Sequence, residues 1–215
     1  MINQIANDEK CFQICAGTLE EEGIKIAFGT SITDADGNIN EEKVAILKPD
    51  HFYNTRDFAT PPKSVDGVVV IDHNSDIHLY VAELKSSCRL QNICKKDIQE
   101  KFSTIFENFF SADFKHIFLD IDYSLKAMSL WLICDPTNIR SSLDNPTQLA
   151  KKMKAASTLR GMLADYAASL KPYTFKGITT PIQLLISPPT IEQDHFTDFL
   201  TNAEENLQES SINPA

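Results

Sequence analysis

The sequence predicts an α/β fold, a mixed central β-sheet flanked by helices. Three observations carry this. The runs DGVVVID (66–72) and IHLYVAEL (77–84) are continuous, apolar and rich in β-branched residues, as strands buried on both faces are. Residues 89–110 place Leu90, Ile93, Ile98, Phe102, Ile105, Phe106 and Phe109 at threes and fours, the spacing of a helix with one apolar face. Strand and helix patterns then alternate along the rest of the chain, the order that lays helices against a sheet.

Taken in order, residues 11–15 and 23–29 (GIKIAFG) are expected as short strands around the acidic turn GTLEEE, and DADGN at 34–38 is a turn signal. EEKVAILK at 41–48 fits a short helix or a strand. Residues 49–64, with Pro49, Pro61 and Pro62, are expected as loop. HNSD at 73–76 is a turn, which makes the two apolar runs around it an antiparallel hairpin. After the helix at 89–110, KHIFLDIDY (115–123) and AMSLWLICD (127–135) read as two more strands. Asn145 or Pro146 opens a long helix to about Leu170. TPIQLLIS (180–187) is the last strand, residues 191–209 a final helix, and 210–215 a fraying tail. The expected organisation is one domain over 1–215: an N-terminal extension at 1–40, a core at 41–190, and an acidic C-terminal helix and tail at 191–215.

Composition sets the class. At 215 residues, 42% apolar and 23% charged, the chain is long enough to bury one sizeable core. No apolar run approaches the ~18 residues of a membrane helix. The opening MINQIANDEKCFQICAG lacks the basic start and apolar stretch of an export signal, so a cytoplasmic location is expected. The five cysteines, at 11, 15, 88, 94 and 134, form no CxxC pair and read as free, mostly buried thiols. The histidines do not join them at zinc spacing. A net charge of −10 argues against nucleic acid as a partner, yet its distribution is uneven: residues 145–189 carry +5.

Three charged residues stand where the apolar strands should carry none: Asp66, Glu83 and Lys85. Side chains alternate along a strand, so Glu83 and Lys85 share a face with Leu79 and Val81, while Ala82 and Leu84 fill the other. The apolar lead-in places the pair partly buried, against a helix, at the strand's end. The hairpin brings Asp66, with sixteen residues between it and Glu83, to the same end. A one-residue slip in its register would send Asp66 to the opposite face. Neighbouring carboxylates repel unless a cation lies between them, and oxygen ligands suit Mg²⁺ or Mn²⁺. A lysine beside them can orient an attacking water or stabilise the charge of a phosphoryl transition state. Phosphodiester hydrolysis uses this combination.

In these residues the chain resembles the PD-(D/E)xK nuclease superfamily, whose motif sets an Asp on one strand and (D/E)-x-K on the next. Asp66 matches the first and Glu83-Leu84-Lys85 the second. The resemblance implies a restriction-endonuclease-like fold and an endodeoxyribonuclease that uses Mg²⁺, with Mn²⁺ substituting, in restriction or phage defence. It makes Asp66, Glu83 and the Leu84 carbonyl the metal ligands, and gives Lys85 the attacking water. A homodimer follows if both strands are cut at once, and a partner protein of a defence system is the other association. The sequence departs from the motif in carrying Val65 where the proline stands. Pro49-Asp50 is a literal PD at a poorer offset. The acid that many members add from an early helix has only Glu20 to Glu22, Glu41 or Glu42 to match it, and the glutamine of the following helix only Gln91 or Gln99. Alternatives are a nuclease-fold subunit that binds a partner through its acidic surface, and a nuclease for RNA or branched DNA.

Simpler readings stand beside these. Glu83 and Lys85 could be a strand-end ion pair, and Asp66 a turn residue before Gly67. Asp120 and Asp122 fit the solvated face of a half-buried strand better than a metal site. Asp72, His73 and His78 decorate the hairpin turn, and Trp131, Phe118 and the cysteines fill the core. Lys151, Lys152, Lys154 and Arg160, with Lys171 and Lys176 beyond, form a solvated face that would track phosphates in a nuclease. Lys95, Lys96 and Lys101 rank second. The acidic tail solubilises the chain or meets a partner.

Overall fold

A computed structural model describes residues 1–54, 58–73, 76–86, 93–135, 142 and 144–192, the side chains of 156–163 excepted. Two short helices open it, α1 (Ile2–Asn7) and α2 (Glu9–Ile14), the second capped by Asp8, which accepts the Cys11 N–H at 2.8 Å. Three short strands follow: β1 (Glu20–Glu21), β2 (Ile24–Lys25) and β3 (Ala27–Phe28). Glu22 and Gly23 turn β1 into β2, both at positive φ, the conformation a two-residue hairpin turn requires. Next come β4 (Val44–Leu47) and α3 (Pro49–Asn54), which starts on the proline whose missing N–H a first helical turn does not need. The hairpin β5 (Gly67–His73) and β6 (Asp76–Lys85) leads to α4 (Lys95–Thr104), which runs on as a π-helix (Ile105–Asp113) and ends in α5 (Lys115–Phe118). Then follow β7 (Ser124–Cys134), α6 (Pro146–Ala168), β8 (Tyr173–Phe175), β9 (Ile178–Thr180), β10 (Ile182–Ile186) and β11 (Thr190–Ile191).

Five strands form one mixed sheet in the order β10-β7-β6-β5-β4. β6 is central, antiparallel to β5 and parallel to β7. The parallel step from β6 to β7 needs a long crossover, and α4, the π-helix and α5 supply it. Their Ile98, Phe102, Phe109 and Phe110 pack on Val68, Val70, Leu79 and Val81, with α1 and α2 in the same layer. Phe110 and Phe118 approach to 4.3 Å and Phe109 and Phe114 to 4.4 Å between ring centres. On the other face, Val69, Ile71, Tyr80, Ala82, Trp131 and Ile133 meet Leu19, Ile24, Ile26 and Ile32. The sheet is therefore buried on both sides, which accounts for the unbroken apolar strands.

Several expectations need correction. Residues 11–15 are largely helical rather than a strand, because Asp8 caps a turn there. Residues 49–54 form α3 rather than loop; the proline starts a helix as readily as it breaks one. KHIFLDIDY is not a strand: Lys115–Phe118 is helical and the next strand starts at Ser124. The hydrophobic residues of that run, Ile117 and Phe118, belong to the helical core, and Asp120 pairs with Lys115 at 3.2 Å on the surface. The central helix starts at Lys95 and extends to Asp113, with residues 89–92 outside the described part. The helix expected over 191–209 also lies outside it, apart from Ile191, which ends β11. The strands at 67–73, 76–85 and 182–186 and the helix opened by Asn145 agree with the expectation, the strand expected at 127–135 starts earlier, at Ser124, and the open choice at 41–48 falls to a strand over 44–47. Among the described residues no helix is long and apolar enough to cross a membrane. Cys11 and Cys134 are buried and in no disulfide among the described residues, whereas Cys15 and Cys94 are exposed.

Candidate active site

The site forms at the C-terminal end of the central strand. β5 and β6 pair with Gly67 opposite Ala82 and Val68 opposite Val81. Continuing that register by one residue sets Asp66 opposite Glu83. Val68 and Val81 belong to the core on the α4 side, so alternation puts Asp66, Glu83 and Lys85 on that side as well. Burial is severe for charged groups: Glu83 is 0% exposed and Asp66 7%.

Each carboxylate is held differently. Asp66 Oδ2 accepts the Leu84 N–H at 2.5 Å, which clamps the end of β5 to β6. Glu83 Oε1 receives two ammonium groups, Lys85 Nζ and Lys101 Nζ, each at 2.6 Å. Lys101 Nζ also stands 4.0 Å from Asp66 Oδ1, between the two acids. Glu83 Oε2 is buried with no hydrogen-bond partner among the described residues. Glu21, from the β1–β2 hairpin, lines the same cavity as Asp66, and each carboxyl influences the titration of the other.

Burial, then the charge of Glu83, pushes the Asp66 carboxyl up to about 6, against the pull of Lys101 and the Leu84 N–H. Burial, then the neighbouring Asp66 carboxyl, raises Glu21 as well. Burial works against the Lys85 ammonium, but Glu83 outweighs it and Lys85 titrates above the ordinary lysine value. Lys85 is thus a fixed positive charge near neutral pH, suited to electrostatic stabilisation rather than to taking a proton.

Beside these groups opens a polar cavity of about 280 Å³, lined by Glu21, Asp50, Asn54, Lys63, Ser64, Asp66 and Lys101 with Pro61 and Pro62. Asp50 Oδ1 and Ser64 Oγ, both buried, have no hydrogen-bond partner among the described residues. Burial raises Asp50, and Glu21 adds to the effect. Asp50 is the acid of the literal Pro49-Asp50, carried on α3, which Tyr53 anchors by a 2.8 Å hydrogen bond to Asp113.

The donors suit a small hard cation. Asp66 and Glu83 face each other across the hairpin, and Glu83 keeps an unpartnered oxygen. The Leu84 N–H points to β5, and in an extended strand its carbonyl projects to the same side, so Asp66, Glu83 and that carbonyl would be the ligands. Among the described residues no three carboxylate, imidazole or thiolate groups already converge on one point, and lysine ammoniums stand on Glu83.

Sequence reasoning ranked Lys101 among the second-line phosphate contacts, Glu21 among the early acids and Asp50 in the literal PD, and did not single out Ser64. Lys101 sits on the apolar stripe of its helix, three residues from Ile98 and one from Phe102, where a charge needs a partner. Glu21 belongs to the early acidic run but arrives through a turn, not a helix. Glu41 and Glu42 are exposed, and Gln99 gives its backbone carbonyl to Tyr173. The candidate phosphate contacts lie apart: Lys95 and Lys96 are exposed at the start of α4, Lys151 and Lys154 exposed and Lys152 half-buried on α6. The Arg160 side chain and Gln91 lie outside the described residues. Trp131 and Phe118 are core. Compared with protein families, curated proteins and solved structures, this chain finds no match.

Proposed function

We propose that this chain is a divalent-metal-dependent endonuclease of the PD-(D/E)xK type, hydrolysing DNA phosphodiester bonds in restriction or phage defence in the cytoplasm. The observation that carries the reading is the buried Asp66–Glu83 pair, set opposite each other at the end of the central strand with an oxygen left unpartnered. Asp66, Glu83 and the Leu84 carbonyl would hold Mg²⁺, or Mn²⁺ in its place. When bound, the metal supplies Lewis acidity and a water of lowered pKa. The chain's own residues do the rest. The Leu84 N–H fixes the orientation of Asp66, and Lys85 presents a permanent positive charge to the phosphate as negative charge builds on it. Lys95, Lys96, Lys151, Lys152, Lys154 and Arg160 are proposed to track the DNA backbone, and two copies or a partner protein to complete a double-strand cut.

The test is incubation with plasmid DNA and Mg²⁺. Wild type is expected to nick or cut, and Asp66→Ala, Glu83→Ala and Lys85→Ala each to lose about 100-fold or more of the rate. Cutting that survives all three substitutions, or a wild type inert on every DNA offered, overturns the assignment. A second reading, a nuclease-fold subunit without catalysis, draws on the two lysines that already neutralise Glu83. It predicts no heat of Mn²⁺ binding in calorimetry and stable association with a partner protein. RNA or branched DNA in place of plasmid separates the remaining substrates.

A further inference from the structure

Three buried side-chain oxygens lack a hydrogen-bond partner among the described residues: Glu83 Oε2, Asp50 Oδ1 and Ser64 Oγ. Two of them share one cavity and the third is linked to it by an ion pair. Asp50 and Ser64 line the polar cavity, and Glu83 is reached from it through Lys101, which lines it too. Buried polar atoms of this kind are rare, and three together mark a place built for more than one arrangement. Lys101 is the group able to rearrange. Its ammonium sits on Glu83 Oε1 and beside Asp66, where positive charge is most needed. It duplicates Lys85 on that same oxygen, so Glu83 keeps an ion pair if Lys101 leaves. Its flexible four-carbon stem borders a cavity of about 280 Å³ in which Asp50 offers an acceptor with no partner.

We infer that Lys101 is an internal counter-ion, exchanged for a divalent cation, and that Asp50 receives its ammonium when the cation binds between Asp66 and Glu83. This rests on the metal site proposed above. In the exchange one intramolecular ion pair replaces another, and the arriving cation takes over neutralisation of the two acids. The apparent affinity for the cation is then reduced by the fraction of molecules in which Lys101 occupies the bridge. Occupancy in roughly nine of ten molecules weakens binding about tenfold.

The experiment is titration of Mn²⁺ by calorimetry into wild type, Lys101→Met, Lys101→Gln and Asp50→Asn, with melting curves in chelator to show that each is folded. Both Lys101 variants are expected to bind Mn²⁺ about tenfold more tightly than wild type. Asp50→Asn should weaken binding several-fold, and combined with Lys101→Met it should bind as tightly as Lys101→Met alone, since no ammonium then needs a receiver. Equal or weaker binding in both folded Lys101 variants overturns the exchange and leaves the metal site standing. Weakening by Asp50→Asn that persists in the double variant overturns Asp50 as the receiver. Absence of Mn²⁺ binding in wild type and all variants overturns the exchange and the metal site together.

Discussion

Asp66 is a carboxylate that the fold would rather keep protonated. Burial and Glu83 push it from 3.8 to about 6, so the folded chain holds a proton there that the unfolded chain has released. Stability contributed by this group is complete below pH 4 and is lost as pH rises towards 6. In metal-free protein the advantage of Asp66→Asn over wild type should therefore grow by on the order of 2–3 kcal/mol between pH 4 and 6, then level off. Urea unfolding at several pH values in chelator checks this; an advantage that is constant or shrinks across that range rules it out. The charge on Asp66 was visible in the sequence as an acid at the head of a core strand. Its partners Glu21 and Lys101 were not, because they come from segments distant in the chain, and no local pattern reports which distant charge will meet a buried one.

Between the two layers, the β1–β2 hairpin is seated by one close approach. A Cβ built on Gly67 would lie 2.3 Å from Leu19 Cδ2, and Leu19 is buried directly before the hairpin that carries Glu21. Gly67 is thus a contact point for another segment, not a turn residue. Gly67→Ala should destabilise the fold by about 1–3 kcal/mol through overpacking. Leu19→Ala in the same chain should recover part of that loss, a coupling that a double-mutant cycle reads and that additive effects would disprove. The strands were legible because each is buried on both faces and reads as a continuous apolar run. KHIFLDIDY misled for the same reason: its apolar residues are as dense as a strand's, and a helix of four residues is too short to show a 3.6 period. Asp8 as a cap and Pro49 as a first helical residue were local signals that the acidic and proline-rich surroundings concealed.

For the molecule as a whole, a net charge of −10 sets the terms on which it meets a polyanion. Under the proposed function, binding to DNA is carried by a local face and weakens steeply with salt. With Glu83→Ala blocking cleavage, replacement of Lys151, Lys152 and Lys154 together by alanine should lower DNA affinity and flatten the dependence of log K on log salt by about three units. An unchanged slope would move the phosphate contacts off α6. Composition displayed the basic segment, and the fold places much of it on a 23-residue helix. The sheet's strand order was beyond the sequence, since the pairing of β7 with β6 and of β10 with β7 depends on crossovers that pattern alone does not orient.

The register of β5 against β6 also bears on the order of assembly. Their connection is two residues long, so Asp66 and Glu83 meet through local contacts, which form early. Lys101 and Glu21 reach them only when a later helix and an earlier hairpin dock. The transition state for folding then contains two facing carboxylates with Lys85 as their one counter-charge, before Lys101 arrives. Asp66→Asn should accelerate refolding, whereas Lys101→Met should act mainly by hastening unfolding. Stopped-flow traces would reveal the reverse just as readily. On this account the pair of acids proposed as the seat of the chemistry is also an obstacle the chain must cross each time it folds.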